Sequence, residues 1–156
     1  MAEFIVRPIS RDITTEVRST RLSPRYGHPV YQETARGTGP CRECLRAFVV
    51  GRDERVLFTY TPFNGELGIP QPGPVFIHAE ACVGHFGLGY PDGLRGIPMA
   101  VQPYYAGGVI GSPIRLPPDK EELLLAALIG DPLVQFAHLR HAEAGCFVAR
   151  VERAAG

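Results

Sequence analysis

Along most of the chain, apolar residues alternate with polar ones more often than they recur every three or four positions. That period predicts strands. "EFIVR" opens the chain as one strand, and between Arg55 and Tyr60 the residues Val56, Phe58 and Tyr60 alternate with more polar neighbours, as a half-buried strand requires. "GPVFIHA" reads as another short strand. Beyond the Pro-Asp-Gly turn in "YPDGLRG", "IPMAVQPYY" and "VIGSPIRL" flank "AGG" and predict a hairpin. Pro98, Pro103 and Pro113 each remove a ladder donor and predict that this hairpin lies at a sheet edge. A last hairpin pairs "LVQFAHLR" with "CFVARVER" across "HAEAG", with Gly145 available for a positive φ.

One segment carries helical signals throughout. In "PDKEELLLAALIG" Pro118 sits where a missing amide proton costs nothing, Asp119, Glu121 and Glu122 face the positive end of the dipole, and Gly130 with Pro132 supplies the stop. The helix is expected over 118–129, its leucines covering a sheet face. "SRDITTEVRSTRLSPRYGHPVYQETARGTGP" sustains no period and reads as loop with one short helix. The expectation is an α+β fold: a mostly antiparallel sheet of about six or seven strands, one main helix, an irregular N-terminal third and a single domain over 1–156.

The 156 residues suffice for one core without staples. Sixteen basic residues balance sixteen acidic ones, so no overall field draws the chain to nucleic acid or to an anionic membrane. All the basic residues except Lys120 are arginine, a composition that planar anion recognition and plain codon bias explain equally. "MAEFIVRPIS" lacks the apolar run of a signal peptide, and no stretch is long enough for a membrane-spanning helix. A reducing cytoplasm is the expected location, where four cysteines read as thiols, ligands or redox groups before disulfides.

Three constellations could carry chemistry. In "PCRECLR" the two-residue gap lets Cys41 and Cys44 reach one tetrahedral ion, and "HAEAC" offers His78 and Cys82 four positions apart. Together they make a candidate Cys3His zinc site that would tie the N-terminal third to the strand at 75–79. A reversible Cys41/Cys44 disulfide and plain buried thiols are the alternatives. A strong zinc motif would carry a glycine soon after the second cysteine; here Leu45 and Arg46 follow. The second constellation depends on the last hairpin: with "HAEAG" as its loop, Arg140 lies opposite Cys146, His138 opposite Val148 and Phe136 opposite Arg150. His138, Arg140, Cys146 and Arg150 then share a polar face, with Leu139, Ala137, Phe147, Ala149 and Val151 on the apolar one. That polar face is either an anion pocket, in which flanking guanidinium groups activate Cys146, or a solvated sheet surface. The third is "GHFGLGYPDG", where His85, Phe86 and Tyr90 among glycines suggest a lid or ligand-contact loop. Neither "GHFGLG" nor "GELGIP" follows a strand and opens a helix, as a dinucleotide site demands.

The ordered set "PCRECLR", "GPVFIHAEAC" and "HLRHAEAGCFVARVERA", with "YTPF" and "IGDP", resembles a bacterial family catalogued as domain of unknown function 1203. The resemblance spans most of the chain and implies a single bacterial domain; it supplies no mechanism. The chain departs from the family's pattern at the central hairpin, where "YYAGG" replaces an acidic turn and implies a tighter, more flexible one.

Two functions compete on this reading. One is an accessory or binding protein that recognises an anionic small molecule or a protein partner through Arg140, Arg150, His138 and Arg42, any zinc on Cys41, Cys44, His78 and Cys82 being structural. The other is an enzyme with Cys146 or Cys41 as nucleophile, His138 or His78 as base, and Arg140 or Arg150 holding an oxyanion.

Overall fold

The computed structural model describes residues 3–63 and 71–154; "GELGIP" lies outside the described residues. Among those described, nine strands and two α-helices form two antiparallel sheets. The larger sheet contains β1 (Phe4–Arg7), β5 (Met99–Tyr105), β6 (Val109–Ile110), β7 (Ile114–Arg115), β8 (Val134–His141) and β9 (Phe147–Arg153). Its order is β1-β9-β8-β5-β6, with β7 also on β5. The smaller sheet runs β2-β3-β4, from β2 (Tyr31–Thr34), β3 (Glu54–Tyr60) and β4 (Gly73–His78). No helix among the described residues is long and apolar enough to cross a membrane.

The α+β expectation holds, with corrections in detail. The N-terminal third holds the one short helix expected there, α1 (Arg11–Thr20), and in addition the short strand β2. Only Ile13 and Val17 give α1 an apolar stripe, too narrow for periodicity to register, and its start is fixed by Ser10, whose Oγ accepts from the Ile13 amide. The second helix, α2 (Glu121–Gly130), begins later than the expected 118. Pro118 and Asp119 instead form a turn, with Asp119 in the left-handed region at φ 64°, and the first helical turn carries Glu121 and Glu122.

Pro103, the proline of β5, also sits differently from the expectation. β5 is not itself an edge: it lies between β8 and the short strands β6 and β7. The Pro103 carbonyl accepts from the Gly111 amide at 2.9 Å. Since the amide and carbonyl of a strand residue point the same way, its missing donor faces the gap between β6 and β7, where no strand among the described residues pairs with it.

Each sheet has its own core. The larger sheet buries Val6, Val101, Leu139, Ala149 and Val151 against Leu125, Ala126 and Ile129 of α2. The smaller one buries Val56, Phe58, Val75 and Ile77 with Ile9 and Val17 from the α1 side and with Cys41, Cys44 and Phe48. Phe147 at the start of β9 belongs to this second core and so joins the two sheets.

Arg42 reinforces the joint. Its guanidinium, almost fully buried, donates to the Pro40 carbonyl (2.7 Å), the Phe147 carbonyl (2.8 Å) and the Cys146 sulfur (2.9 Å). Its backbone amide donates to the Phe76 carbonyl of β4, and its carbonyl accepts from Ile9. A buried cation costs several kcal/mol when unpaired, so these acceptors fix Arg42 in one orientation. Desolvation lowers its pKa from the ordinary value, opposed by Cys146.

Between the two cores the chain passes close to itself at Gly93. A Cβ built there would lie 2.4 Å from the Leu45 carbonyl oxygen and 3.0 Å from the Arg46 Cα, both backbone atoms that cannot swing away. Gly93→Ala is therefore expected to destabilise by about 1–3 kcal/mol through overpacking, measured as a lower urea midpoint with unchanged slope. An unaltered midpoint would mean that the two loops part freely.

Candidate metal centre

The turn after Pro40 is closed by local bonds. The Leu45 amide donates to the Cys41 carbonyl and the Cys41 amide to the Arg46 carbonyl, each at 2.9 Å, and a bridge joins Pro40 to Ala47. This loop brings Cys41 and Cys44 to one side. It requires a left-handed residue, and Leu45 takes that role at φ 56°. The conformation costs a non-glycine residue about 1–2 kcal/mol. Full burial of the Leu45 side chain in the larger core returns about 1.5–3 kcal/mol, so packing wins. The glycine that sequence reasoning sought after the second cysteine is thus replaced by a strained, anchored leucine.

His78 ends β4 and Cys82 follows in the next loop. The four predicted ligands converge: Cys41, Cys44, His78 and Cys82 have their ligand atoms all within 4.8 Å of one another. Two separations test the fit to zinc. With Zn–S near ~2.3 Å and Zn–N near ~2.0–2.1 Å, tetrahedral geometry demands about 3.8 Å between two sulfurs and about 3.6 Å between sulfur and nitrogen. The Cys41 and Cys82 sulfurs are 3.8 Å apart, and the Cys44 sulfur is 3.6 Å from His78 Nδ1. Three sulfurs and one imidazole at these spacings are compatible with zinc.

The surroundings hold the ligands in place. Cys41 Sγ accepts from the backbone amides of His78 (3.3 Å) and Glu43 (3.5 Å). His78 presents Nδ1 to the cluster while Nε2 lies 3.2 Å from Asp53 Oδ2, which orients the ring with its outer N–H on a carboxylate. Asp53 is in turn pinned by the Val49 amide at 2.8 Å, the main reason its pKa is lowered. Glu43, almost fully buried, accepts from Thr14 Oγ1 at 2.6 Å and pairs with Arg18 at 2.8 Å. Arg18 also donates to the His78 carbonyl at 3.0 and 3.1 Å and approaches the Cys82 sulfur at 3.8 Å. One helix residue thus braces both halves of the cluster. Sequence spacing pointed to none of Arg18, Glu43 or Asp53, because each acts through tertiary contacts.

Residues 38–153 match the family model described as protein of unknown function (DUF1203). The chain belongs to this family. No curated protein and no solved structure matches the chain. All four clustered residues fall inside the segment matched by the DUF1203 model, whereas Thr14 and Arg18, which brace Glu43, precede it.

The second constellation is placed differently from its expectation. A bulge between Leu139 and Arg140 shifts the last hairpin, so His138 lies opposite Arg150 and Arg140 opposite Phe147. Phe147 therefore shares a side with His138, its ring 4.9 Å away, instead of joining Leu139 on the apolar face. Arg42 is committed inside the protein and cannot meet a ligand. Arg140 donates to Gln102 (2.9 Å), the Gly145 carbonyl (3.2 Å) and Tyr104 (3.3 Å). Arg150 stacks 4.0 Å from the Phe136 ring and pairs with Glu152 at 3.0 Å. The face does not gather His138, Arg140, Arg150 and Arg42 around one ligand.

His138 is sealed within Phe63, Tyr104, Phe136 and Phe147, and neither ring nitrogen has a hydrogen-bond partner among the described residues. It is not poised on Cys146, whose sulfur meets Arg42 instead. In the third constellation Tyr90 is core, not lid. Phe86 is 85% exposed and lines, with Val83 and Leu88, a cleft of about 670 Å³ against residues 5–11.

Two predictions arise here. Near neutral pH the metal-free cluster stores protons: Cys44 is pushed up to about 11 by its bond to Cys41, Cys82 is raised for the same reason, and His78 is raised to about 10 chiefly by Cys41. Only Cys41 is lowered, first by its bond from Cys44. A cation taking three thiolates and a neutral imidazole should then release about three protons at pH 7, read by calorimetry in buffers of different ionisation enthalpy. The second concerns His138, lowered to about 3 by burial and by the positive fields of Arg140 and Arg150. With its unfolded pKa near ~6.5, the unfolded chain binds the extra proton between the two values. The His138 contribution to stability is therefore whole above pH 6.5 and is lost as pH falls toward 3, by up to about 1.4 kcal/mol per pH unit. His138→Phe should gain on the wild type progressively from pH 7 to pH 5; a constant difference in melting temperature across that range would contradict the account.

Proposed function

We propose that this chain is a zinc-stapled binding protein, in which the metal on Cys41, Cys44, His78 and Cys82 is structural and an arginine-bearing surface recognises an anionic small molecule or a protein partner. The single observation that carries the zinc half is the match of the Cys41–Cys82 and Cys44–His78 separations to tetrahedral edges. Four protein donors fill a tetrahedral shell and leave no open position for substrate, the hallmark of structural rather than catalytic zinc. The location supports the same role. The ligands come from the Pro40 turn and from the end of β4, and Cys41 and Cys44 lie in the core of the smaller sheet. Metal binding there contributes folding free energy to the region where the N-terminal segment, β4 and β9 meet.

The binding half rests on the separation of Cys146 from His138; Cys41 and His78 do meet, but inside the four-residue cluster assigned to the metal above. Cys146 is bonded by Arg42, and the His138 nitrogens meet no partner among the described residues. A bacterial cytoplasmic setting fits the unpaired thiols and is part of the same proposal.

Elemental analysis of protein purified without added chelator should give one zinc per chain, and a strong chelator should lower the melting temperature by roughly 10 °C or more. Cys44→Ala should lose the metal and show the same drop without chelator. Wild type free of zinc, with its melting temperature indifferent to added zinc, would sink the proposal.

A further inference from the structure

The four-residue cluster also has the arrangement of a thiol switch, with a pairing that sequence spacing does not suggest. In "CREC" the near neighbours Cys41 and Cys44 are the obvious couple. The fold matches the sulfurs otherwise: Cys41 Sγ stands 3.8 Å from Cys82 Sγ, while Cys44 Sγ lies 3.6 Å from His78 Nδ1. All of these cysteines are free thiols.

Access and freedom of movement divide Cys41 and Cys82 into two roles. Cys41 is fully buried and Cys82 partly exposed, so an oxidant dissolved in water reaches Cys82 first. Cys41 is fixed in place. Its amide donates to the Arg46 carbonyl, its carbonyl accepts from Leu45, and its sulfur accepts from the amides of Glu43 and His78. Cys82 lies in a stretch, 81–86, that has neither helix nor strand. Its carbonyl accepts from Arg11 at 3.3 Å and its sulfur donates to Glu43 Oε1 at 3.3 Å. Closing 3.8 Å to a bonding distance of ~2.0 Å therefore falls to Cys82, which can turn without undoing a strand. Cys146, the other partly exposed thiol, has its sulfur against Arg42 at 2.9 Å instead.

We propose that Cys41 and Cys82 form a reversible disulfide in the presence of hydrogen peroxide, with Cys82 as the sulfur that reacts first and Cys41 as the one that resolves it. The Cys82 sulfur attacks one peroxide oxygen and the O–O bond breaks, giving a sulfenic acid and one water. The Cys41 sulfur then attacks the Cys82 sulfur, the S–S bond forms, and the S–O bond breaks to release a second water. Two thiols lose two electrons in all and the peroxide gains them. The protons of the two waters come from the thiols, or from solvent where a metal holds the sulfurs as thiolates. The consequence for the metal rests on the function proposed above: with two of the four donors joined to each other, only Cys44 and His78 remain, and zinc leaves. The sulfur chemistry itself needs no metal.

The test is peptide mapping of full-length protein of measured zinc content after treatment with excess hydrogen peroxide, with a colorimetric indicator reading released zinc. Tryptic cleavage at arginine places the four cysteines on four separate peptides, 37–42, 43–46, 56–95 and 141–150. The expected product joins 37–42 to 56–95, reverts with dithiothreitol, and is accompanied by one zinc ion for each linkage formed. Cys44→Ser should give the same linkage, because that sulfur takes no part. Linkage of 37–42 to 43–46 in the wild type, or oxidation confined to Cys146, overturns the proposal. Zinc-free protein that forms the Cys41–Cys82 linkage would defeat the metal reading alone, and zinc-loaded protein that keeps its thiols reduced in excess peroxide this one alone.

Discussion

The structure turns on the convergence of four side chains at the edge of the smaller sheet. Cys41 and Cys44 come from a six-residue turn and His78 and Cys82 from the end of β4 and its loop, yet their ligand atoms crowd within 4.8 Å. Three sulfurs and an imidazole held this close compete for protons. A cation in place of the protons would relieve that competition. The packing around it follows from this geometry. Leu45 accepts a left-handed backbone to keep the turn closed, and the backbone of Gly93 can approach only because no side chain stands between it and Leu45.

Around the cluster, buried charge serves as connection more than as chemistry. Arg42 reaches from the turn that carries Cys41 and Cys44 to the first residue of β9, and Arg18 reaches from α1 to Glu43 and to the backbone of His78. Each guanidinium satisfies several carbonyl or carboxylate acceptors at once, which a buried cation must do to be tolerated. The consequence is that the N-terminal helix, the small sheet and the large sheet meet at one polar joint beside the thiols.

Two regions draw differently on the part of the chain that the family match covers. The four clustered residues all lie within 38–153. A cleft of about 410 Å³ at the β1–α1 junction takes Tyr60, Phe147 and Arg150 from that segment, but Arg7 and Arg25 from the residues before it. The N-terminal segment thus does more than complete the larger sheet with β1: it supplies the brace for Glu43 and one wall of the cleft.

The α+β class, the strands at 54–60, 73–78 and 99–105, and the four residues of the cluster were readable from period and spacing alone, because alternation and a two-residue cysteine gap are local properties of the chain. Short-range pattern suggested one short helix in the N-terminal third but could not bound it at 11–20, since its stability comes from burying two residues against a sheet formed later in sequence. Nor could it supply the hairpin register: a single bulge after Leu139 moved Phe147 to the face of His138 and sealed that histidine in aromatic rings. Arg42 looked like a surface cation and became an internal strut, since only the approach of β9 gave it carbonyls to bind. The sequence by itself determined which side chains were available and how far neighbours could reach. The tertiary structure decided which of them were buried and paired and which were left facing solvent, because burial and pairing depend on strands brought together from opposite ends of the chain.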